Sequence, residues 1–339
     1  MQIGFVYDLR DEYLALGFSE LEVAEFDTAA TIAEIEAALV RNGHSVDRIG
    51  RGQVLARRLA QGERWDLVFS IAEGLAGRSR EAQVAALCEL FAQAYAFSDP
   101  LTMAATLDKG VAKRIIRDHG LPTAPFAVLR SATEAGSIDL PFPLFVKPVA
   151  EGTGKGCEAA SRVTSHAELA AAAEALILRF DQPVICESYL PGREFTVGIL
   201  GTGQTAHVIG IMEIAVKPGI ADRIYSFENK EHCEERVIYE LADDAEARRA
   251  SEIALQCYRA LECRDAGRID LKLDGAGVPQ FLELNPIAGL HPTHSDLPMI
   301  ATKSGLGYDG LIGGIVDAAA QRSGLAAARS AFMQLGEVA

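Results

Sequence analysis

The chain is short of positive charge: 32 Lys and Arg stand against 47 Asp and Glu, for a formal net charge of -15. That deficit argues against nucleic acid and anionic membranes as partners. A polyanionic ligand would need a local cluster of Lys, Arg and backbone N–H groups. No apolar run approaches the length needed to cross a bilayer. The opening Met1-Gln2-Ile3-Gly4-Phe5-Val6-Tyr7 lacks the charged start and long apolar stretch of a signal sequence, and reads as a first strand. The six cysteines (88, 157, 186, 233, 257 and 263) form no CxxC pair. Reduced, mostly buried thiols in a cytoplasmic protein are expected, and metal ligation by them is not. No GxGxxG follows the first strand, which removes the ordinary dinucleotide fingerprint.

What is present is enough for two or three modules: 339 residues, 49% of them hydrophobic. The first hundred residues alternate strand and helix, with strands at Ile3–Tyr7 and Leu67–Ile71 and helices from a cap at Asp27 through Leu39 and over Ala82–Ala92. This is the βαβ rhythm of a parallel sheet. A single helix through Leu107, Val111 and Ile115 then ends at Gly120. Beyond it, strands dominate: Phe126–Leu129, Leu144–Lys147, Val184–Tyr189, Phe195–Leu200 and Ala206–Glu213, with a helix near His166–Arg179. This is antiparallel α+β character. A polar stretch from Ser226 to Arg236 reads as an exposed loop, and a helix over Asp244–Leu261 follows.

The most informative segment is Arg268-Ile269-Asp270, followed by Glu283-Leu284-Asn285. Ile269, Leu271 and Leu273 point one way; Arg268, Asp270 and Lys272 point the other. Pairing about the turn Asp274-Gly275-Ala276-Gly277 sets Asp270 opposite Glu283 and Arg268 opposite Asn285. Two carboxylates and an amide oxygen suit Mg²⁺, and the arginine beside them suits a phosphoryl group. Alone, the pattern equally describes a surface ladder with a salt bridge. Phe145-Val146-Lys147-Pro148 leads into Glu151-Gly152-Thr153-Gly154-Lys155-Gly156, where glycines bring backbone N–H groups close to a phosphate. This is not a Walker A loop, and by itself it is also an ordinary hairpin turn. In Glu187-Ser188-Tyr189-Leu190-Pro191-Gly192-Arg193-Glu194, two acids flank a Pro-Gly turn. They could accept from an adenine amino group and a ribose, or simply face water.

The order Lys109, Phe-Val-Lys147-Pro, glycine loop, Glu187-x-Tyr-Leu to Glu194, Arg268-x-Asp270, Glu283-x-Asn285 resembles the ATP-grasp enzymes. Within them it is similar to the D-alanine–D-alanine ligase family, from Ile3 to about Ala320. The resemblance implies a three-part α/β and α+β fold: an N-terminal parallel βαβ domain (1–101), then central (102–190) and C-terminal (191–322) antiparallel subdomains that sandwich ATP; the Ala-rich residues 323–339 read as an accessory C-terminal helix or tail. It implies that Lys109 and Lys147 contact the phosphates under the loop from Glu151 through Gly152, Thr153 and Gly154. Glu187, with Tyr189 and Leu190, would meet the adenine and Glu194 the ribose. Asp270, Glu283 and Asn285 would hold two Mg²⁺, with Mn²⁺ as a substitute. Arg268 and the backbone at Gly289 would stabilise the tetrahedral intermediate, with Lys230 as the loop lysine. Ser295 and Leu297 lie where the family holds the acceptor carboxylate. His291 and His294 read as lining of the substrate pocket rather than a metal pair, because Pro292 breaks regular helical spacing. A homodimer acting on amino-acid or other small carboxylate and amine substrates is the implied assembly.

Three departures fall on the amino-acid pocket. A longer stretch, Asp8 to Phe18, stands where the family has a short Gly-Gly loop, and Glu20, Glu22 or Glu25 would take over the first substrate. Glu231 replaces the family's pocket-closing tyrosine. The segment Gly289–Ser295 is one residue longer, and the Glu73–Arg80 loop lacks the family's His-Gly pattern. The expected function is an ATP-dependent carboxylate–amine ligase working through an acyl phosphate, with an altered amino-acid pocket. The alternatives are D-alanine–D-alanine ligase itself, or a nucleotide-binding regulator without turnover.

Overall fold

In the computed structural model, residues 1–218, 229 and 232–325 are described. Three sheets carry the chain. β1 (Gln2–Val6), β2 (Ser45–Gly50) and β3 (Leu67–Ser70) form a parallel sheet in the order β2-β1-β3. Ile3, Phe5, Leu67 and Phe69 are fully buried, as strands covered on both faces must be. β4 (Phe126–Leu129), β5 (Leu144–Pro148), β6 (Arg162–Val163) and β7 (Val184–Ser188) make an antiparallel sheet ordered β4-β7-β5-β6. Leu169 and Ala173 of the helix His166–Phe180 pack on it. β8 (Glu194–Leu200), β9 (His207–Val216), β10 (Val237–Leu241), β11 (Ala266–Leu273) and β12 (Pro279–Asn285) make a second antiparallel sheet, ordered β10-β9-β8-β11-β12. The expected architecture, a parallel N-terminal sheet followed by two antiparallel ones, is the one the chain forms.

The five-stranded sheet is organised by alternation. Ile269, Leu271 and Leu273 of β11 are buried against the helix Ala245–Ala260, which presents Ala247, Ala250 and Ala254 at helical spacing. Asp244 caps that helix, accepting from the backbone N–H groups of Glu246 and Ala247. With the apolar side spent on the core, Arg268, Asp270 and Lys272 must face the opposite way.

Local chemistry overrides the sequence expectation at two helix starts. The helix expected through Leu107, Val111 and Ile115 is two helices, Pro100–Leu107 and Lys109–Asp118. Asp108 interrupts them in an extended conformation and accepts from the N–H of Val111 at 3.0 Å, so a capping side chain restarts the helix. Lys109 thereby becomes a first-turn residue. The cap of the helix Ala29–Arg41 is Thr28, not Asp27; its hydroxyl accepts from Thr31 N–H at 3.3 Å. Asp27 is left outside the helix, where it lines a cavity. Of the stretch expected as an exposed loop, Ser226–Arg236, residues 226–228, 230 and 231 lie outside the described residues, as does the tail beyond Leu325; Cys233–Arg236 is a short helix leading into β10. Cys88, Cys186, Cys257 and Cys263 are buried. Burial pushes the Cys186 thiol up to about 11 and the other three to about 12, so these thiols are inert at neutral pH.

Candidate active site

The β11–β12 ribbon has the register expected from the sequence: Arg268 opposite Asn285, Ile269 opposite Leu284, Asp270 opposite Glu283. A regular ladder would then put Leu271 opposite Leu282. Instead Leu271 faces Phe281, and Leu282 is an extra residue. This β-bulge lets Phe281 and Leu284 both enter the core while Leu282 and Glu283 both face a cavity. Asp270 accepts from Arg268 Nε and Nη2 at 3.1 and 2.9 Å and from Thr196 Oγ1 at 2.8 Å.

The cavity between the two antiparallel sheets holds about 920 Å³ of space, part of it open to solvent. Three of its cations come from helix and strand, and Lys155 of the glycine loop is a fourth. Lys109, at the start of its helix, reaches Glu283 at 3.2 Å and donates to the carbonyl of Glu151 at 2.6 Å. Lys147, on β5, meets Glu187 of β7 at 2.8 Å. Lys272, on the polar side of β11, meets Glu194 at 2.8 Å. Tyr189 and Leu190 line the same cavity. Glu187 is also 2.7 Å from Lys113, whose side chain is completely buried and donates to the Phe281 carbonyl at 2.8 Å. Burial would raise the Glu187 carboxyl, but the two lysines outweigh it and hold the group down at about 2. The same burial pushes Lys113 below its ordinary value despite Glu187.

The glycine loop arches over one side of this cavity, with Thr153 at φ 51° and Gly154 at 74°, a left-handed turn that brings backbone inward. It is tied to the N-terminal region. Glu25 accepts from Gly152 N–H at 2.7 Å, pairs with Lys155 at 3.3 Å and binds Arg80 at 2.8 Å. Of the three candidate acids, Glu25 is thus the one that faces the site, while Glu20 and Glu22 are exposed. Burial alone would raise Glu25; Arg80 and Lys155 hold it below its ordinary value.

A second cavity, with about 1690 Å³ of open space, adjoins the first and shares Lys109, Glu151 and Glu283 with it. Arg268, Asn285, Gly289, His294, Ser295 and Asp296 line one side. A Cβ at Gly289 would come within 2.7 Å of Ser295 Oγ, so any larger residue there would displace that hydroxyl. That hydroxyl accepts from His291 N–H at 3.0 Å. The His291 and His294 rings touch at a tilt of 58°, with centroids 4.8 Å apart. Leu297 is fully buried in the core beneath, and the neighbouring Asp296 is the one facing the cavity. Asp27, Glu73 and Glu81 line the other side. Burial raises all three, Asp27 and Glu81 to about 7; neighbouring carboxylates add to the effect and Arg10 and Arg80 partly oppose it. Lys230 and Glu231 lie outside the described residues.

Asp270, Glu283 and the side-chain oxygen of Asn285 form an oxygen-only donor set on one face of the ribbon, which fits a hard divalent cation such as Mg²⁺. Sequence reasoning missed Lys113, Arg80, Glu81 and Asp296. Lys272 was visible in the alternation of β11. Lys113 was not, because a lysine one turn after Lys109 in a short helix looks solvent-facing until the sheet packs over it.

Comparison with known proteins accords with this arrangement. Residues 115–317 match the family described as "D-ala D-ala ligase C-terminus". A D-alanine–D-alanine ligase from Bordetella petrii is 34% identical over 291 residues, 84% of this chain and 85% of that one. The protein y4sG from Sinorhizobium fredii is 34% identical over 262 residues, 76% of this chain and 75% of its own length. The crystal structure of D-alanine–D-alanine ligase from Bacillus anthracis complexed with ATP superposes with a TM-score of 0.70 at 22% identity, covering 95% of this chain and 98% of that one. The parallel sheet, the two antiparallel sheets and the cavity between them are those of an ATP-grasp fold, and the chain belongs to the D-alanine–D-alanine ligase family of ATP-dependent ligases.

Proposed function

We propose that the chain joins a carboxylate to an amine through an acyl phosphate, with ATP in the smaller cavity and the two substrates in the larger. The observation that carries this reading is the position of Asp270, Glu283, Asn285 and Arg268 where the two cavities meet. A carboxylate entering from the larger cavity and a terminal phosphoryl group from the smaller would converge there. Lys109 and Lys147 compensate phosphate charge, Tyr189 and Leu190 flank the base, and the loop at Gly152–Gly154 covers the phosphates. When bound by Asp270, Glu283 and Asn285, Mg²⁺ would draw charge from the transferring group. Arg268 neutralises the oxyanion that forms when the amine attacks, with the backbone at Gly289 beside it. Positioning and charge compensation account for the chemistry, so no nucleophilic side chain is required.

A homodimeric, cytoplasmic enzyme is part of the same reading and rests on family membership. Among the described residues no helix is long and apolar enough to cross a membrane. The Bordetella petrii relative makes D-alanine a substrate to be tried first. The altered pocket, in which Glu25 is already engaged by Arg80 and Lys155, favours a different pair. The test is phosphate release from MgATP with D- and L-amino acids and other carboxylates as donors, each paired with amino acids, amino-acid amides and simple amines as acceptors, and with mass detection of the product. Nucleotide binding without turnover under every pairing would refute the reading.

A further inference from the structure

Asp296 is the first residue of the helix Asp296–Lys303, is 5% exposed, and lines the larger cavity. Its Oδ2 lies 3.1 Å from Nη1 of Arg268. The opposite edge of the same guanidinium is taken by Asp270, at 3.1 Å from Nε and 2.9 Å from Nη2. One arginine therefore stands between two carboxylates of the chain itself, and none of the three side chains is more than 13% exposed. A guanidinium binds carboxylates through the paired N–H groups along its edges; here Asp270 takes the Nε–Nη2 edge and Asp296 lies against Nη1, so a ligand carboxylate at Nη1 would compete with one already in place. A ligand carboxylate beside Ser295 would also meet the charge of Asp296 in surroundings that screen it poorly. Even the helix terminus, a natural seat for an anion, already carries the Asp296 carboxylate in its first turn.

We propose that Asp296 is a specificity-determining residue that excludes a free carboxylate from the acceptor, so that the attacking amine belongs to an amide, an ester or a simple amine rather than to a free amino acid. This rests on the ligase reading above. In the step concerned, the neutral amine attacks the carbonyl carbon of the acyl phosphate. The C–N bond forms, the carbonyl carbon's bond to the bridging phosphate oxygen breaks, and the departing phosphate takes up the proton that the nitrogen loses.

The experiment uses the full chain, MgATP and the donor carboxylate identified by the pairwise screen, with alanine and alaninamide of each hand as competing acceptors. The wild type is expected to show a higher kcat/KM for the amide, on the order of tenfold or more, as for a like-charge clash in a desolvated site. Asp296→Asn should shrink that ratio by a comparable factor, and Asp296→Glu should retain it. A wild type that prefers alanine overturns the inference, and this arm needs no variant to fold. An identical ratio in wild type and Asp296→Asn overturns it equally. If no donor supports ADP formation at all, the ligase reading falls and this inference falls with it.

Discussion

Lys109 Nζ lies 3.2 Å from Glu283 Oε2, and this pair stands in the wall shared by the two cavities. A nucleotide that draws Lys109 toward its phosphates would loosen it from Glu283 and expose more of that carboxylate to a cation. Loading one cavity thus alters the boundary of the other.

That boundary predicts the effect of removing its carboxylates. Asp270→Asn or Glu283→Gln is expected to abolish turnover while the fold persists, because each is a polar-face residue of a ribbon whose opposite face makes the core. Near-normal phosphate release by either variant, with unchanged circular dichroism, would show that these groups hold no essential metal.

Nucleotide affinity should depend on Lys147. Replacing it with alanine is expected to weaken ATP binding by about 1–3 kcal/mol, the range for a charge-assisted contact. Calorimetric titration with a non-hydrolysable analogue gives the answer, and an unchanged Kd would remove Lys147 from the phosphate site.

Glu187 links binding to stability. With Lys113 and Lys147 both buried around it, Glu187→Gln should cost about 3–5 kcal/mol, since two buried ammonium groups lose their counter-charge. The carboxyl is held at about 2, below its ordinary 4.5. Its contribution is therefore complete above pH 4.5 and drains away as pH falls toward 2. Urea unfolding from pH 6 to pH 3 should show a shallower acid loss in the variant; parallel curves would contradict the assignment.

The opposite sign applies to Glu81, whose carboxyl sits at about 7, above its ordinary 4.5. The folded chain holds that proton more tightly than the unfolded chain. Ligand-free stability should thus decline as pH rises from 4.5 through 7. Glu81→Gln should remove part of this decline and be about 1–3 kcal/mol more stable than the wild type at pH 8. A variant less stable at pH 8 would mean that the carboxylate is satisfied by a partner.

Glu25 ties the glycine loop to the N-terminal region through Gly152 and Lys155. Glu25→Gln should speed hydrogen exchange at 152–156 in the ligand-free chain, and an ATP analogue should restore protection. Equal exchange in wild type and variant would show that the loop is held by other contacts.

The sequence made the β11–β12 pairing legible because alternation and a Gly-containing turn are local signals, and Asp270 opposite Glu283 follows from them. The same alternation also pointed Lys272 into the site. The helix break at Asp108 was missed because Leu107, Val111 and Ile115 keep helical spacing across it, and only the side chain's hydrogen bond to Val111 separates the two helices. The Lys113–Glu187–Lys147 cluster was out of reach for another reason. It joins a helix to two strands 34 to 74 residues along the chain, and no local pattern records which charges a closing sheet will bury together. Glu25, Glu73 and Glu81 come together through loops, whose paths periodicity does not constrain.

The extra residue in β12 has one more consequence. Deleting Leu282 alone would leave an unbroken ladder with Asp270 still opposite Glu283, Phe281 and Leu284 still inward, and the carboxylate face intact. Only the apolar contribution of Leu282 to the smaller cavity would go. A single strand therefore houses two separable modules, one set by parity and the other by an insertion. Evolution or design can reshape the apolar wall at that point without disturbing the carboxylates one residue away.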